Sequence, residues 1–264
     1  MENILKKIIN KKKDNIVSYK NKYSENFLLN NIDTSINFIN FKEKMIDRYS
    51  KKKISIIAEI KKASPSAGLL VKNFDYLNIA KIYSENGASF LSVLTEEDFF
   101  LGKLDYIKNI KKNVKLPVLC KDFFIDTYQV PLAKSFGADC ILIILSAVDK
   151  NLAKDLYQAA LNLNMSVLVE VHSEKESEFA LSLDKSIIGI NNRNLKTLEI
   201  SLETSVSLFK ILKNYKNPLV SESGIHSSDE IKFILEKTDI KSFLVGESLL
   251  TSDDIPSKLK NLLK

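Results

Sequence analysis

The chain has 264 residues, 45% of them hydrophobic, and a mean hydropathy of −0.07. That is enough to bury one sizeable core and too apolar for a disordered chain. Its longest apolar run, residues 140–148, falls far short of the ~20 residues that cross a bilayer, and two cysteines and two histidines without Cys-x-x-Cys spacing supply neither a disulfide framework nor a transition-metal site. The net charge of +6 rests on lysine, since only Arg48 and Arg193 among 39 basic residues are arginines. Nucleic-acid readers lean on arginine and on interleaved aromatics, so no nucleic-acid partner is expected. Scattered lysine suits a solvated surface or the attraction of an anionic small molecule.

In chain order, residues 1–50 read as a helical, Lys-rich extension, as in Ile4-Leu5-Lys6-Lys7-Ile8-Ile9. It could cover one mouth of the domain or pack along its side, and both are open at this point. There is no apolar h-region followed by a small-residue cleavage site, so the expectation is the cytoplasm. From residue 54 a rhythm begins: short apolar runs without helical spacing, each followed by an amphipathic stretch. The runs cover residues 54–60, 89–95, 117–121, 139–145, 166–171, 186–191, 218–222 and 242–246, as strands buried on both faces of a parallel sheet would. Between them lie helix signals. Ser173 with Glu176 and Ser227 with Glu230 have capping-box spacing, and Gly87 and Gly137 stand where helix C-terminal glycines belong. Eight βα units predict an α/β protein, a single (β/α)8 barrel over residues 51–264. An open doubly wound sheet would leave eight near-equal units unexplained.

Barrel active sites sit at the C-terminal ends of the strands, and side chains two apart share a face. Strand 1 ends with Glu59 and Lys61 on the face of Ile57, strand 3 with Lys121 on the face of Leu119, and strand 5 with Glu170 and His172 alternating against valines. Strand 6 pairs Asn191 with Arg193. Strands 7 and 8 run into Ser221-Glu222-Ser223-Gly224 and Val245-Gly246-Glu247-Ser248. Charges cost several kcal/mol to bury unless paired or in use. Four inward charges, Glu59, Lys61, Lys121 and Glu170, therefore read as acid–base machinery. Gly224 and Gly246, each ahead of an expected helix start, suggest a phosphate pole on the last two loops.

These residues also carry a resemblance. Ala58-Glu59-Ile60-Lys61-Lys62-Ala63-Ser64-Pro65-Ser66, Ser92-Val93-Leu94-Thr95-Glu96 and Phe99-Phe100-Leu101-Gly102 resemble motifs of the indole-3-glycerol phosphate synthase family. So do Pro117-Val118-Leu119-Cys120-Lys121-Asp122-Phe123, Leu168-Val169-Glu170-Val171-His172, Gly189-Ile190-Asn191-Asn192-Arg193-Asn194-Leu195, Ser221-Glu222-Ser223-Gly224-Ile225 and Val245-Gly246-Glu247-Ser248-Leu249. They fall in order across the whole barrel, and the N-terminal segment is similar to the family's extra helix.

The resemblance implies a carboxy-lyase of tryptophan biosynthesis, working without cofactor or metal. It closes the indole ring of 1-(2-carboxyphenylamino)-1-deoxyribulose 5-phosphate with loss of carbon dioxide and water. It implies Lys121 as general acid, Glu170 as its acid–base partner, Lys61 either as a second acid near the departing hydroxyl or as the group holding the carboxylate, with Glu59 beside it, and Asn191 and Arg193 as substrate-positioning groups. Ser64, Ser223, Gly224, Gly246 and the Glu247 backbone would surround the phosphate, and Phe123 would pack on the anthranilate ring. The chain departs from the family's common residues at Cys120 (arginine), Asn194 (aspartate) and Leu250 (methionine); parity turns Cys120 toward the helices, as packing. Monomer and homodimer are both open. A sugar-phosphate isomerase using Glu59 and Glu170 is the rival enzyme, with no evident use for two lysines between its carboxylates. A phosphate-ligand binding protein without catalysis is the non-enzymatic alternative.

Overall fold

A computed structural model describes residues 4–195 and 197–264. Eight parallel strands close into a barrel: β1 (Ser55–Ile60), β2 (Phe90–Leu94), β3 (Val118–Lys121), β4 (Cys140–Ile144), β5 (Ser166–Val171), β6 (Ile187–Asn191), β7 (Leu219–Glu222) and β8 (Ser242–Val245). Each predicted run holds one strand, with ends within one residue. Neighbours in sequence are neighbours in the barrel, and β8 closes on β1 with Ser55 opposite Ser242 and Ala58 opposite Val245.

The strand parity separates two cores. Ile57, Phe90, Leu119, Cys140, Leu142, Leu168, Ile187, Val220 and Leu244 fill the barrel interior, while Ile56, Ala58, Ile60, Val93, Cys120, Ile143 and Val169 face the helices. Cys120 is thus a packing residue, and burial, joined by the nearby Asp122 charge, pushes its thiol up to about 12. Both cysteines are free and buried.

The N-terminal segment resolves its open alternatives by doing two things. Helix α1 (Ile4–Lys22) lies at the C-terminal mouth of the barrel, where Ile4, Leu5 and Ile8 line the cavity described below. After α2 (Glu25–Asn30), α3 (Phe41–Ser50) plugs the opposite end. There Phe41 and Met45 join the interior core, and the Phe41 and Phe90 rings lie 4.5 Å apart. The chain between α2 and α3 is tied down by Asp139, just ahead of β4, which accepts from the backbone of Ile39 at 2.7 Å and of Val118 at 2.7 Å.

Helices α4 (Tyr76–Glu85), α5 (Leu104–Asn113), α6 (Gln129–Ser135), α7 (Lys150–Asn162), α8 (Glu174–Ala180), α9 (Glu203–Leu212) and α10 (Ser228–Lys237) follow β1 to β7 in turn, and β8 leads to α11 (Glu247–Leu250) and α12 (Ile255–Leu262). Among the described residues, no helix is long and apolar enough to cross a membrane. The two expected capping boxes diverge. Ser227 and Glu230 close one, the carboxylate accepting from the Ser227 backbone at 2.7 Å. Ser173 caps α8, but the Glu176 carboxylate reaches one residue further and accepts from the His172 backbone at 2.6 Å. Ser227→Ala should cost about 1 kcal/mol, read as a lower urea midpoint with an unchanged slope. An unchanged midpoint would show that the cap carries no stability.

Candidate active site

One side chain from each odd-numbered strand forms a polar layer at the C-terminal end of the barrel: Glu59 on β1, Lys121 on β3, Glu170 on β5 and Glu222 on β7. Alternate strands supply a common layer in such barrels, and two residues beneath it on the same strands and faces lie the apolar Ile57, Leu119, Leu168 and Val220. Lys121 Nζ donates to Glu170 Oε2 at 2.9 Å and to Glu222 Oε2 at 2.8 Å. Lys61 Nζ sits 2.6 Å from Glu59 Oε1.

Burial works against every charge in this layer, and the partners decide which survive. Burial opposes the Lys121 ammonium, but the carboxylates of Glu170, Glu222 and Glu59 outweigh it and raise its pKa. Glu170 is held well below the usual carboxylate range, with Lys121 and His172 overcoming its burial. Glu222 is pushed up to about 7 by burial and by the Glu170 and Glu59 charges, against the pull of Lys121. One carboxylate is thus fixed as an anion while its neighbour titrates near neutrality, the arrangement that separates base from acid.

This has a consequence for stability. Folding raises the Glu222 pKa from 4.5 to about 7, so the native state binds more proton between those values and loses stability as pH rises through them. Wild type should therefore lose more stability than Glu222→Gln between pH 4.5 and pH 7, measured by urea denaturation at each pH. Parallel pH curves for the two proteins would contradict the shift.

Two glycines make room for the layer. A Cβ on Gly189 in β6 would lie 2.0 Å from Glu222 Oε1, and one on Gly246 would lie 2.5 Å from Glu59 Oε1. Gly246 therefore accommodates a carboxylate as well as standing directly before α11. Gly224 differs from expectation, since α10 starts only at Ser228 with Ser227 as its cap. Its φ of +84° instead turns the loop after β7, and a Cβ there would meet Ile200 at 2.7 Å.

Above the layer lies a cavity of about 230 Å³. It is lined by all twelve residues singled out from sequence: Glu59, Lys61, Ser64, Lys121, Phe123, Glu170, Asn191, Arg193, Ser223, Gly224, Gly246 and Glu247. Asn191 ties β5 and β6 to the loop after β7, donating to Glu170 Oε1 at 3.1 Å and accepting from Ser223 Oγ at 2.9 Å and the Arg193 backbone at 3.0 Å. The Arg193 guanidinium donates to the Leu198 carbonyl at 3.3 Å and stands 3.9 Å from Glu247 Oε2 at the rim. Ser64 Oγ accepts from the Ala67 backbone at 3.2 Å, within a two-residue hairpin pairing Ala63–Ser64 with Gly68–Leu69.

The family model for indole-3-glycerol phosphate synthase matches residues 5–262. The chain is 40% identical over 263 residues to the indole-3-glycerol phosphate synthase of Bordetella pertussis, covering 100% of both. The chain belongs to the indole-3-glycerol phosphate synthase family. It is also 46% identical over 209 residues to the enzyme of that name from Legionella pneumophila strain Lens, covering 79% of this chain and 80% of the other. Two solved structures share the fold alone. A 3-hexulose-6-phosphate synthase aligns with a TM-score of 0.61 at 15% identity, covering 79% of this chain and 98% of that one. The N-(5'-phosphoribosyl)anthranilate isomerase of Pyrococcus furiosus aligns at 0.57 and 12%, covering 80% and 96%.

In this member of the indole-3-glycerol phosphate synthase family, three groups at the site went unselected in the sequence. Glu222 is the first, although counting two residues on from inward Val220 places it beside Lys121. Phe100 is the second: it lines the cavity with its ring 6.2 Å from that of Phe123. Its loop is shaped by Glu96, whose carboxylate accepts from the backbones of Phe99 at 2.7 Å and Phe100 at 3.0 Å. The third is Lys12 of α1, buried and paired at 2.8 Å with Asp122, the residue between Lys121 and Phe123. Asp122 also accepts from Thr95 Oγ1 at 2.7 Å. Asn15 donates to Asp98 at 2.7 Å, and Tyr19 donates to Glu97. Helix α1 is thereby fastened to the two loops that present Phe100 and Phe123.

Proposed function

We propose that this chain closes the indole ring of 1-(2-carboxyphenylamino)-1-deoxyribulose 5-phosphate, with Lys121 as the acid that starts the reaction. The observation that carries the reading is the Lys121 ammonium held between Glu170 and Glu222 at the floor of the cavity. As the aromatic carbon attacks the sugar carbonyl, negative charge grows on oxygen, and a positioned proton donor relieves it. Carbon dioxide then leaves, its electron pair neutralising the cationic ring nitrogen. Loss of water needs a second proton on the hydroxyl and removal of one from the ring methylene. Lys61, paired with Glu59 at 2.6 Å, serves as the second acid. Glu170 receives the methylene proton, a role that its depressed pKa supports by keeping it ionised.

Asn191 and Arg193 position the substrate, the former also fixing Glu170. The phosphate lies against Ser64, Ser223, Gly224, Gly246 and the Glu247 N–H, on the loops where barrels of this kind bind it. Phe123 and Phe100 receive the anthranilate ring. Residues 1–50 serve the barrel of residues 51–264 as an extension roofing the cavity at one end and plugging the core at the other. Two buried thiols suit a reducing compartment, the cytoplasm.

Mixing the purified protein with the carboxyphenylamino substrate should produce a rising indole fluorescence, against little background because the chain has no tryptophan. No rise at substrate concentrations that saturate the protein would overturn the reading.

A further inference from the structure

Behind the cavity, between β6, β7 and α9, lies a buried polar cluster that the roles above leave unused. Asn192 follows β6 directly and takes the parity of Ile190, toward the helices. Its chain neighbours Asn191 and Arg193 line the cavity, and Asn192 turns away from it. Ser221 of β7, one residue on from inward Val220, faces the same way. Asn192 is 2% exposed, and Ser221 and Ser205 of α9 are wholly buried.

Every hydrogen-bonding position of the Asn192 amide is taken. Its Oδ1 accepts from the Ser205 N–H at 3.1 Å and from Ser205 Oγ at 2.8 Å. Its Nδ2 donates to Ser221 Oγ at 3.0 Å and to the Ser223 carbonyl at 3.0 Å. A backbone N–H only donates and a carbonyl only accepts, so the amide has one workable orientation. The Asn192 main chain is tied down as well. Its N–H donates to the Glu222 carbonyl at 2.9 Å, and its carbonyl accepts from the Ser201 N–H at 3.0 Å.

These bonds converge on a residue that does not hold its own shape. Ser223 has a φ of +66°, a left-handed conformation that is costly for a residue with a Cβ and persists where its surroundings enforce it. Asn191 anchors Ser223 Oγ on the cavity side, and Asn192 grips the Ser223 carbonyl on the helix side. The Ser223–Gly224 peptide is trans and planar, so a carbonyl drawn toward the helices turns the Gly224 N–H the opposite way. Gly224 lines the cavity, on the loop assigned above to the phosphate. We propose that Asn192 is a positioning residue for the substrate phosphate. It aims the Gly224 N–H by gripping the other side of the same peptide, and does not touch the substrate.

This role rests on the phosphate reading of the loop, which wild type tests by itself: inorganic phosphate should compete with the substrate, and failure to compete removes both. Asn192→Ala should raise KM and the inhibition constant of inorganic phosphate by the same factor, about tenfold, as expected for one hydrogen bond to a charged group. Its kcat should stay within about threefold. Ser205→Ala removes a hydroxyl from the same cluster but leaves the Ser205 N–H on Asn192 and the grip on Ser223. Both of its constants should stay within about twofold of wild type, whatever the change in its urea midpoint. Asn192→Asp covers the case in which Asn192→Ala does not fold. It keeps the volume and the acceptor for Ser205 but sets an oxygen against the Ser223 carbonyl, and should raise both constants at least as much. Wild-type constants in a folded Asn192 variant, a loss confined to kcat, or an equal rise in Ser205→Ala overturns the proposal.

Discussion

Lys121→Ala should reduce kcat by roughly 10²–10⁴-fold, the range for losing a positioned general acid, while circular dichroism and the unfolding transition show an intact barrel. The lysine is the one layer member that touches two others, at 2.9 and 2.8 Å. Its removal takes away the proton donor and leaves Glu170, Glu222 and Glu59 facing one another. The fold tolerates this because Glu222 already titrates at about 7 and takes up a proton more readily once its cation is gone. The loss should fall on kcat rather than KM, because the growing oxyanion exists in the transition state and not in the bound substrate. Activity within tenfold of wild type would remove Lys121 from the role assigned to it.

Lys111→Ala should destabilise the protein by about 3–5 kcal/mol, the cost of stranding one half of a buried ion pair. Lys111 Nζ and Asp139 Oδ2 are 2.7 Å apart, with side chains 2% and 0% exposed, so solvent neither screens the pair nor replaces the lost partner. Asp139 is also the acceptor that ties the approach to α3 onto β3 and β4. The variant's loss should therefore include loosening of the Phe41 plug. Urea unfolding measures it directly, and a difference below about 1 kcal/mol would show that Asp139 is adequately served by its two backbone donors.

Much of this site is written in alternation along the strands. Counting by twos from Ile57, Leu119 and Leu168 brings Glu59, Lys61, Lys121 and Glu170 to the interior, because a parallel barrel buries both faces and only inward polar residues lack another explanation. The same count from Val220 reaches Glu222. The run Ser221-Glu222-Ser223-Gly224 reads equally well, though, as the start of a ligand-binding loop. What alternation does not encode is pairing across the chain. Lys12 looks like one more lysine of an exposed amphipathic helix, and only the folded chain brings it to Asp122, 110 positions away. Gly246 signals a close approach, but whether to ligand or to Glu59 depends on barrel closure between β8 and β1. The Glu176 carboxylate bypassing Ser173 for the His172 backbone is likewise a choice between two nearby donors that spacing leaves equal.

The most direct test of the charged layer as ring-closing machinery is to supply wild-type protein with substrate labelled in its carboxyl carbon and follow both products. Labelled carbon dioxide and indole product should appear together in a one-to-one ratio, in step at every time point. A sugar rearranged with its carboxylate retained, or tight binding without release of label, would contradict the account.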